Sequence, residues 1–183
     1  MFSQSPTPGI IEDTIAYNGE FLIVHKRKIQ IGADIIEREL IQRRDGVAIV
    51  PVDVFHNVLL IKEYSVGSNS FLYTLPGGQI DEAESPEVAA RRELREETGY
   101  SATEMIKLRY AYSHPAISSR KSYTFLAYDL TLEDPVHQAS ELIEVHKFPL
   151  EKAIQLVYQD FESDMSTIGN LLMAVDKLRE LNL

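Results

Sequence analysis

The chain predicts an α/β (α+β) fold: a mixed β-sheet layered between helices as an α/β/α sandwich, preceded by N-terminal antiparallel strands. Three features of the sequence carry that reading. Short apolar strand-like segments come in runs. Capped helical segments are inserted between those runs. An Asn-Gly turn sits between the first two apolar stretches, a hairpin signal.

Taken in order, Tyr17-Asn18-Gly19-Glu20-Phe21 supplies that turn, and Phe21–His25 and Ile35–Ile41 read as strands. Gly46–Val52 is a nearly continuous apolar run, the pattern of a strand buried on both faces. Val58–Tyr64 is a further strand after a turn at His56-Asn57. A helix is expected from Ser85: its hydroxyl can cap, Pro86 suits the first helical position, and Gly99 suits the left-handed residue past the end. Strands are expected at Ile106–Tyr112, Tyr123–Leu130 and Leu142–Phe148, the last leading into a helix at Pro149–Tyr158. A final helix runs from about Ser166, with Ile168, Leu171, Leu172, Val175 and Leu178 at helical spacing. Residues 1–42 read as a strand extension and residues 43–183 as the main domain.

Composition bounds the function. The 183 residues suffice for one domain. A net charge of −10 disfavours binding to DNA or RNA, whose phosphates would repel it. The absence of cysteine excludes disulfides, thiol nucleophiles and thiolate metal sites. No apolar run approaches the roughly 18 residues that span a bilayer, and the start lacks the pattern of a signal peptide. A soluble, cytoplasmic protein with no nucleic-acid or membrane partner is expected.

The chemistry is concentrated in Leu75–Tyr100. Between Asp81 and Glu97 lie seven carboxylates, and Glu93, Glu96 and Glu97 fall on one helical face at i, i+3 and i+4. Like charges at that spacing cost a few tenths of a kcal/mol per pair. A divalent cation would remove the conflict. A ligand set of oxygens suits a hard ion such as Mg²⁺ or Mn²⁺ rather than zinc. Gly77-Gly78 lets backbone approach a ligand and lets a carbonyl point at a metal. Arg92 could orient a glutamate through a bidentate contact. The competing reading is a solvated helix with pairs such as Glu87–Arg91.

The spacing resembles the signature of the Nudix hydrolase family over residues 78–100. Its fixed positions are met by Gly78, Glu84, Arg92, Glu93, Leu94, Glu96, Glu97, Gly99 and Tyr100. Seven of these, all but Leu94 and Tyr100, demand a single residue type, and chance would meet those seven on the order of once in 10⁸ starts. The resemblance implies hydrolysis of nucleoside diphosphates linked to a second group, with a divalent metal as cofactor. It implies Glu93 and Glu97 as main metal ligands, with Glu96 and the Gly77 carbonyl beside them. It also implies Gly78, Glu84 and Arg92 as supports of the site.

The flanks are similar to the ADP-ribose and ADP-sugar pyrophosphatase group. The matching stretches are Glu37–Ile41, Gly46–Pro51, Ile61–Tyr64, Pro115 beyond the signature, and Leu142–Glu151. That likeness implies ADP-ribose as substrate, AMP and ribose 5-phosphate as products, and Glu141 as a base for the attacking water. It also implies a homodimer formed through the N-terminal strands. Glu63-Tyr64-Ser65 stands where the group has Gln-Tyr-Arg, so one arginine near the phosphates is missing. Leu60–Ser68 resembles instead a subgroup acting broadly on ADP-containing compounds. GDP-mannose, NADH and dinucleoside polyphosphates therefore stay open as substrates, and a non-catalytic nucleotide-binding regulator is a weaker reading. Arg44 and Arg120 could meet phosphate or be surface cations, and Tyr64 could stack on a base or pack in the structure.

Overall fold

In a computed structural model, the described residues are 8–133, 143–159 and 161–182. They group into two compact units, Met1–Arg44 with Tyr112–Lys121, and Asp45–Ala111 with Ser122–Leu183.

The first unit is built on a three-stranded antiparallel sheet of β1 (Gly9–Asn18), β2 (Ile23–Ile31) and β3 (Asp34–Gln42), in that order. The Asn-Gly turn closes β1 onto β2, with the Gly19 N–H donating to the Leu22 carbonyl. All ten residues of β1 are exposed, so the turn's hairpin signal, not a buried face, is what marks this strand in the sequence. Cross-strand pairing places Ile10, Ile29 and Ile36 side by side. Asp13 accepts from Arg27 and bonds His25, tying β1 to β2.

The second unit contains the mixed sheet that the sequence predicts. Its strands are β4 (Gly46–Val52), β5 (Asn57–Ser65), β6 (Ser70–Thr74), β7 (Tyr100–Tyr112), β8 (Lys121–Leu132) and β9 (Ile143–Pro149). The path runs β6-β5-β4-β8-β7, with β9 on β5. β4 is antiparallel to β5 and parallel to β8, in the register Gly46↔Ser122 to Val52↔Tyr128.

Residues alternate between the two faces of this sheet. Val47, Ile49, Phe125 and Ala127 pack with Ala89, Ala90 and Leu94 of α1 (Pro86–Thr98). Val50, Val52, Val58, Leu60 and Leu126 pack with Ala153 and Val157 of α2 (Leu150–Gln159) and Leu171, Ala174 and Leu178 of α3 (Met165–Leu181). Every one of these is buried, so β4 is apolar on both faces for the reason its sequence suggests. The buried Thr124 hydroxyl donates to Asn170 Oδ1 and satisfies both groups where α3 crosses β8.

Two strands depart from the sequence reading. β6 is five residues long and buries only Thr74, so it carries no alternation. β7 begins at Tyr100 rather than Ile106, and of its first five residues only Ala102 is buried. Among the described residues no helix is long and apolar enough to cross a membrane.

Candidate active site

The site is assembled by α1 and the strand-like segment that precedes it. Ser85 caps α1, its hydroxyl accepting from the Val88 N–H, and Pro86 opens the helix. Gly99 ends it at φ 73°, the left-handed conformation that glycine adopts without strain. Ala89, Ala90, Leu94 and Glu97 turn inward, which fixes the rotation of the helix and leaves Glu93 and Glu96 on its flank.

Residues 76–80 run antiparallel beside β4. The Val47 N–H donates to Gly78 O, the Ile49 N–H to Pro76 O, and the Ile80 N–H to Asp45 O. Both glycines are required here by space. A Cβ on Gly77 would lie 2.2 Å from the Val47 carbonyl oxygen, and one on Gly78 would lie 2.1 Å from Glu93 Oε1. Gly77 therefore lets the segment lie against β4, and Gly78 leaves the volume that the Glu93 carboxylate fills. The Gly77 N–H donates to Glu97 Oε2 at 2.8 Å, and Glu97 is only 8% exposed.

Arg92 is the hub. Its Nε and Nη2 form a fork on Glu84 at 3.1 and 3.0 Å. Nη1 donates to Glu93 Oε1 at 2.9 Å and Glu96 Oε2 at 3.2 Å, and Nη2 also donates to Gln79 O at 3.0 Å. A guanidinium has five N–H groups, so these five bonds engage all of them. Glu84 in turn accepts from the Asp81 N–H and closes the loop ahead of α1. The Glu84 hydrogen bonds, with Glu93 and Glu96 added, push the Arg92 pKa further up. Arg92 in turn holds the Glu84 carboxyl below the usual range.

The sequence leaves the repulsion among glutamates to be relieved by a metal. Here Arg92 already bridges Glu84, Glu93 and Glu96. Among the described residues no group of three or more His, Asp or Glu side chains converges as a metal cage. The geometry gives the reason: a guanidinium stands between Glu93 and Glu96, and Glu97 is turned to the Gly77 amide.

The other expected residues are placed as follows. Tyr64 lies exposed on β5, its hydroxyl on Asn69 Oδ1 and its ring edge-on to Phe71. Arg44 and Pro115 are exposed and Arg120 half-buried, all three in the first unit, whereas the signature helix lies in the second. Glu141 lies outside the described residues. The Gln79 and Val47 carbonyls shape the site and were not legible in the sequence, because backbone atoms carry no residue signature.

Residues 42–167 match the NUDIX domain family. The ADP-ribose pyrophosphatase of Bacillus subtilis (strain 168) is 27% identical over 153 residues, 80% of this chain and 83% of that protein. The ADP compounds hydrolase NudE of Escherichia coli (strain K12) is 30% identical over 145 residues, 79% of this chain and 77% of that protein. A crystal structure of an ADP compounds hydrolase matches with a TM-score of 0.84 at 26% identity, covering 98% of both chains.

Proposed function

The chain belongs to the NUDIX domain family, and from that premise we propose that it hydrolyses the pyrophosphate bond of nucleoside diphosphate sugars. ADP-ribose is the first substrate, giving AMP and ribose 5-phosphate. Relatives named ADP-ribose pyrophosphatase, ADP compounds hydrolase and GDP-mannose pyrophosphatase support that substrate class.

The observation that carries the reading is the set of four carboxylates held in place by Arg92 and the Gly77 amide. Such a set would repel a diphosphate, and a divalent cation between the two reconciles them. The donors are oxygens only, which fits Mg²⁺ or Mn²⁺. Glu93, Glu96, Glu97 and the Gly77 carbonyl are the groups that would hold it, once the carboxylates turn from the Arg92 and Gly77 contacts that keep them from converging here. When bound, the cation would neutralise the diphosphate and make a bound water more acidic.

This chain's own residues do the rest. Arg92 holds Glu93 and Glu96 in place through charge-assisted bonds, and Glu84 fixes Arg92. Glu141 is assigned as the base that takes the proton of the attacking water. Arg44, Tyr64, Pro115 and Arg120 are assigned to substrate contact. A cysteine-free chain suits a reducing cytoplasm.

The reading includes a homodimer through the first unit's sheet. Ile10 and Ile15 there are 58% and 59% exposed, an apolar surface of the kind a partner covers. Light scattering tests it, and a monomer at working concentration removes the claim.

A second reading, broad hydrolysis of ADP-containing compounds, is favoured by the full-length match to an ADP compounds hydrolase. A substrate panel decides between them. The protein is incubated with ADP-ribose, GDP-mannose and NADH, with Mg²⁺ and with chelator, and products are identified by chromatography. AMP from ADP-ribose alone supports the first reading. Turnover of NADH comparable to that of ADP-ribose, with little of GDP-mannose, supports the second, and no turnover of any refutes both.

A further inference from the structure

The flank of α1 turned away from Glu93 carries a second set of polar side chains. Val88, Arg91, Arg92 and Arg95 fall at i, i+3, i+4 and i+7, and with Ser101, Ala102 and Glu133 they line a groove of about 330 Å³. Arg95 is two residues beyond Glu93, about 200° around the helix, so the groove and the Glu93 carboxylate lie on opposite flanks.

The lining has unused hydrogen-bonding capacity. The side chains of Arg95, Ser101 and Glu133 make no hydrogen bond or ion pair with any described residue. Arg91 donates Nε and Nη2 to Glu87 and Nη1 to the Ala102 carbonyl, which leaves two of its five N–H groups. Arg92 contributes only to the shape, since all its donors are engaged on the other flank. Arg91 and Arg95 are like charges one turn apart; Glu87 pairs with Arg91, whereas no described residue pairs with Arg95. A cation in the last turn complements the helix C-terminus, which accounts for Arg95, and Glu87 with the Ala102 carbonyl accounts for Arg91, but neither accounts for Ser101 and Glu133 beside them.

The chemistry of the two walls restricts the ligand. Two guanidinium groups and a hydroxyl suit the oxygens of a phosphate monoester. Glu133 accepts only, and would repel a bare phosphate, so the ligand must also bring hydroxyl donors. The volume is at the low end of ligand clefts, which begin near about 300 Å³, and is too small for a nucleoside diphosphate sugar.

We propose that this groove binds a small sugar phosphate, with the phosphate on Arg95, Arg91 and Ser101 and the sugar hydroxyls on Glu133. The inference does not need the pyrophosphatase reading, and its test involves no turnover.

Ribose 5-phosphate, ribose and inorganic phosphate are each titrated into the ¹⁵N-labelled protein in the presence of chelator, and amide shifts are followed. Ribose 5-phosphate is expected to move the Arg95, Ser101 and Ala102 amides saturably below about 10 mM, at least about tenfold more tightly than inorganic phosphate. Arg95→Glu is expected to weaken binding by at least about tenfold, and Ser101→Ala by less. In Glu133→Ala the advantage over inorganic phosphate should collapse. All these side chains sit at the surface or its margin, and each variant's own spectrum reports its fold. Unmoved Ser101 and Ala102 amides at about 10 mM would overturn the site. So would shifts confined to Gly77, Gly78 and the signature glutamates, or equal affinity in Arg95→Glu. Equal affinity for inorganic phosphate would overturn the sugar assignment.

Discussion

Alanine at position 78 adds one methyl group, and that group would lie 2.1 Å from Glu93 Oε1 and 2.4 Å from Glu93 Cδ. Carbon and oxygen in contact sit about 3.5 Å apart, so the carboxylate must retreat by about 1 Å or more. The obstacle is the far end of a flexible side chain, so the fold absorbs the change by rotating Glu93. What is lost includes the charge-assisted hydrogen bond from Arg92 Nη1, of about 1.5 kcal/mol or less once partial solvent exposure is counted. Arg92 keeps its bonds to Glu84, Glu96 and Gln79. Activity should suffer more than stability, because a misplacement of about 1 Å at a reacting centre can cost about 10²-fold. Gly77→Ala is the matched control. Its Cβ would lie 2.2 Å from the Val47 carbonyl oxygen, which is backbone of a buried strand and cannot rotate away. That change should destabilise by about 2 kcal/mol or more. Thermal unfolding and kcat/KM on ADP-ribose are measured for both variants. Wild-type turnover in Gly78→Ala, or a wild-type melting temperature in Gly77→Ala, would refute the reasoning.

Arg92→Lys replaces five directed donors with three on a point charge, so Glu84, Glu93 and Glu96 cannot all be held. It should lower kcat by about tenfold or more while a circular dichroism spectrum stays unchanged; equal kcat would contradict the hub assignment. Ala83 sits at φ 65°, in the left-handed region, so Ala83→Gly should raise stability by about 1 kcal/mol, read by chemical denaturation. An unchanged or lower midpoint would count against strain there. Glu84 has its carboxyl held below the ordinary value by Arg92, so its contribution is present above the unfolded pKa of about 4.5. That contribution is lost as pH falls through the lower folded value. Wild type should therefore lose stability below about pH 4 more steeply than Glu84→Gln, and parallel profiles would contradict it.

The helix that carries the site was legible because its boundaries are chemical. Ser85, Pro86 and Gly99 each meet a backbone requirement that few other residues meet, and the structure places all three as expected. β4 was legible because both faces are buried and both are apolar. β6 and the start of β7 were not, because strands that bury one residue in five show no period. Within the site, the residue types were visible and their pairing was not. Nothing in the spacing says that Arg92 reaches Gln79 O, thirteen residues away, or that Gly78 exists to seat Glu93. Those contacts arise only when residues 76–80 lie down beside β4 and bring their backbone under α1.

The central claim is that the carboxylates on α1 act through a divalent cation on a nucleoside diphosphate sugar. Glu97→Gln tests it most directly, because glutamine keeps an oxygen to accept the Gly77 N–H while removing the charge a cation needs. ADP-ribose hydrolysis is measured against Mg²⁺ concentration for wild type and variant, with melting temperatures alongside. The account predicts Mg²⁺-dependent AMP from the wild type. In the variant it predicts a loss of about 10²-fold or more at an unchanged melting temperature. Turnover in the variant close to that of wild type, or wild-type turnover that persists in excess chelator, would contradict it.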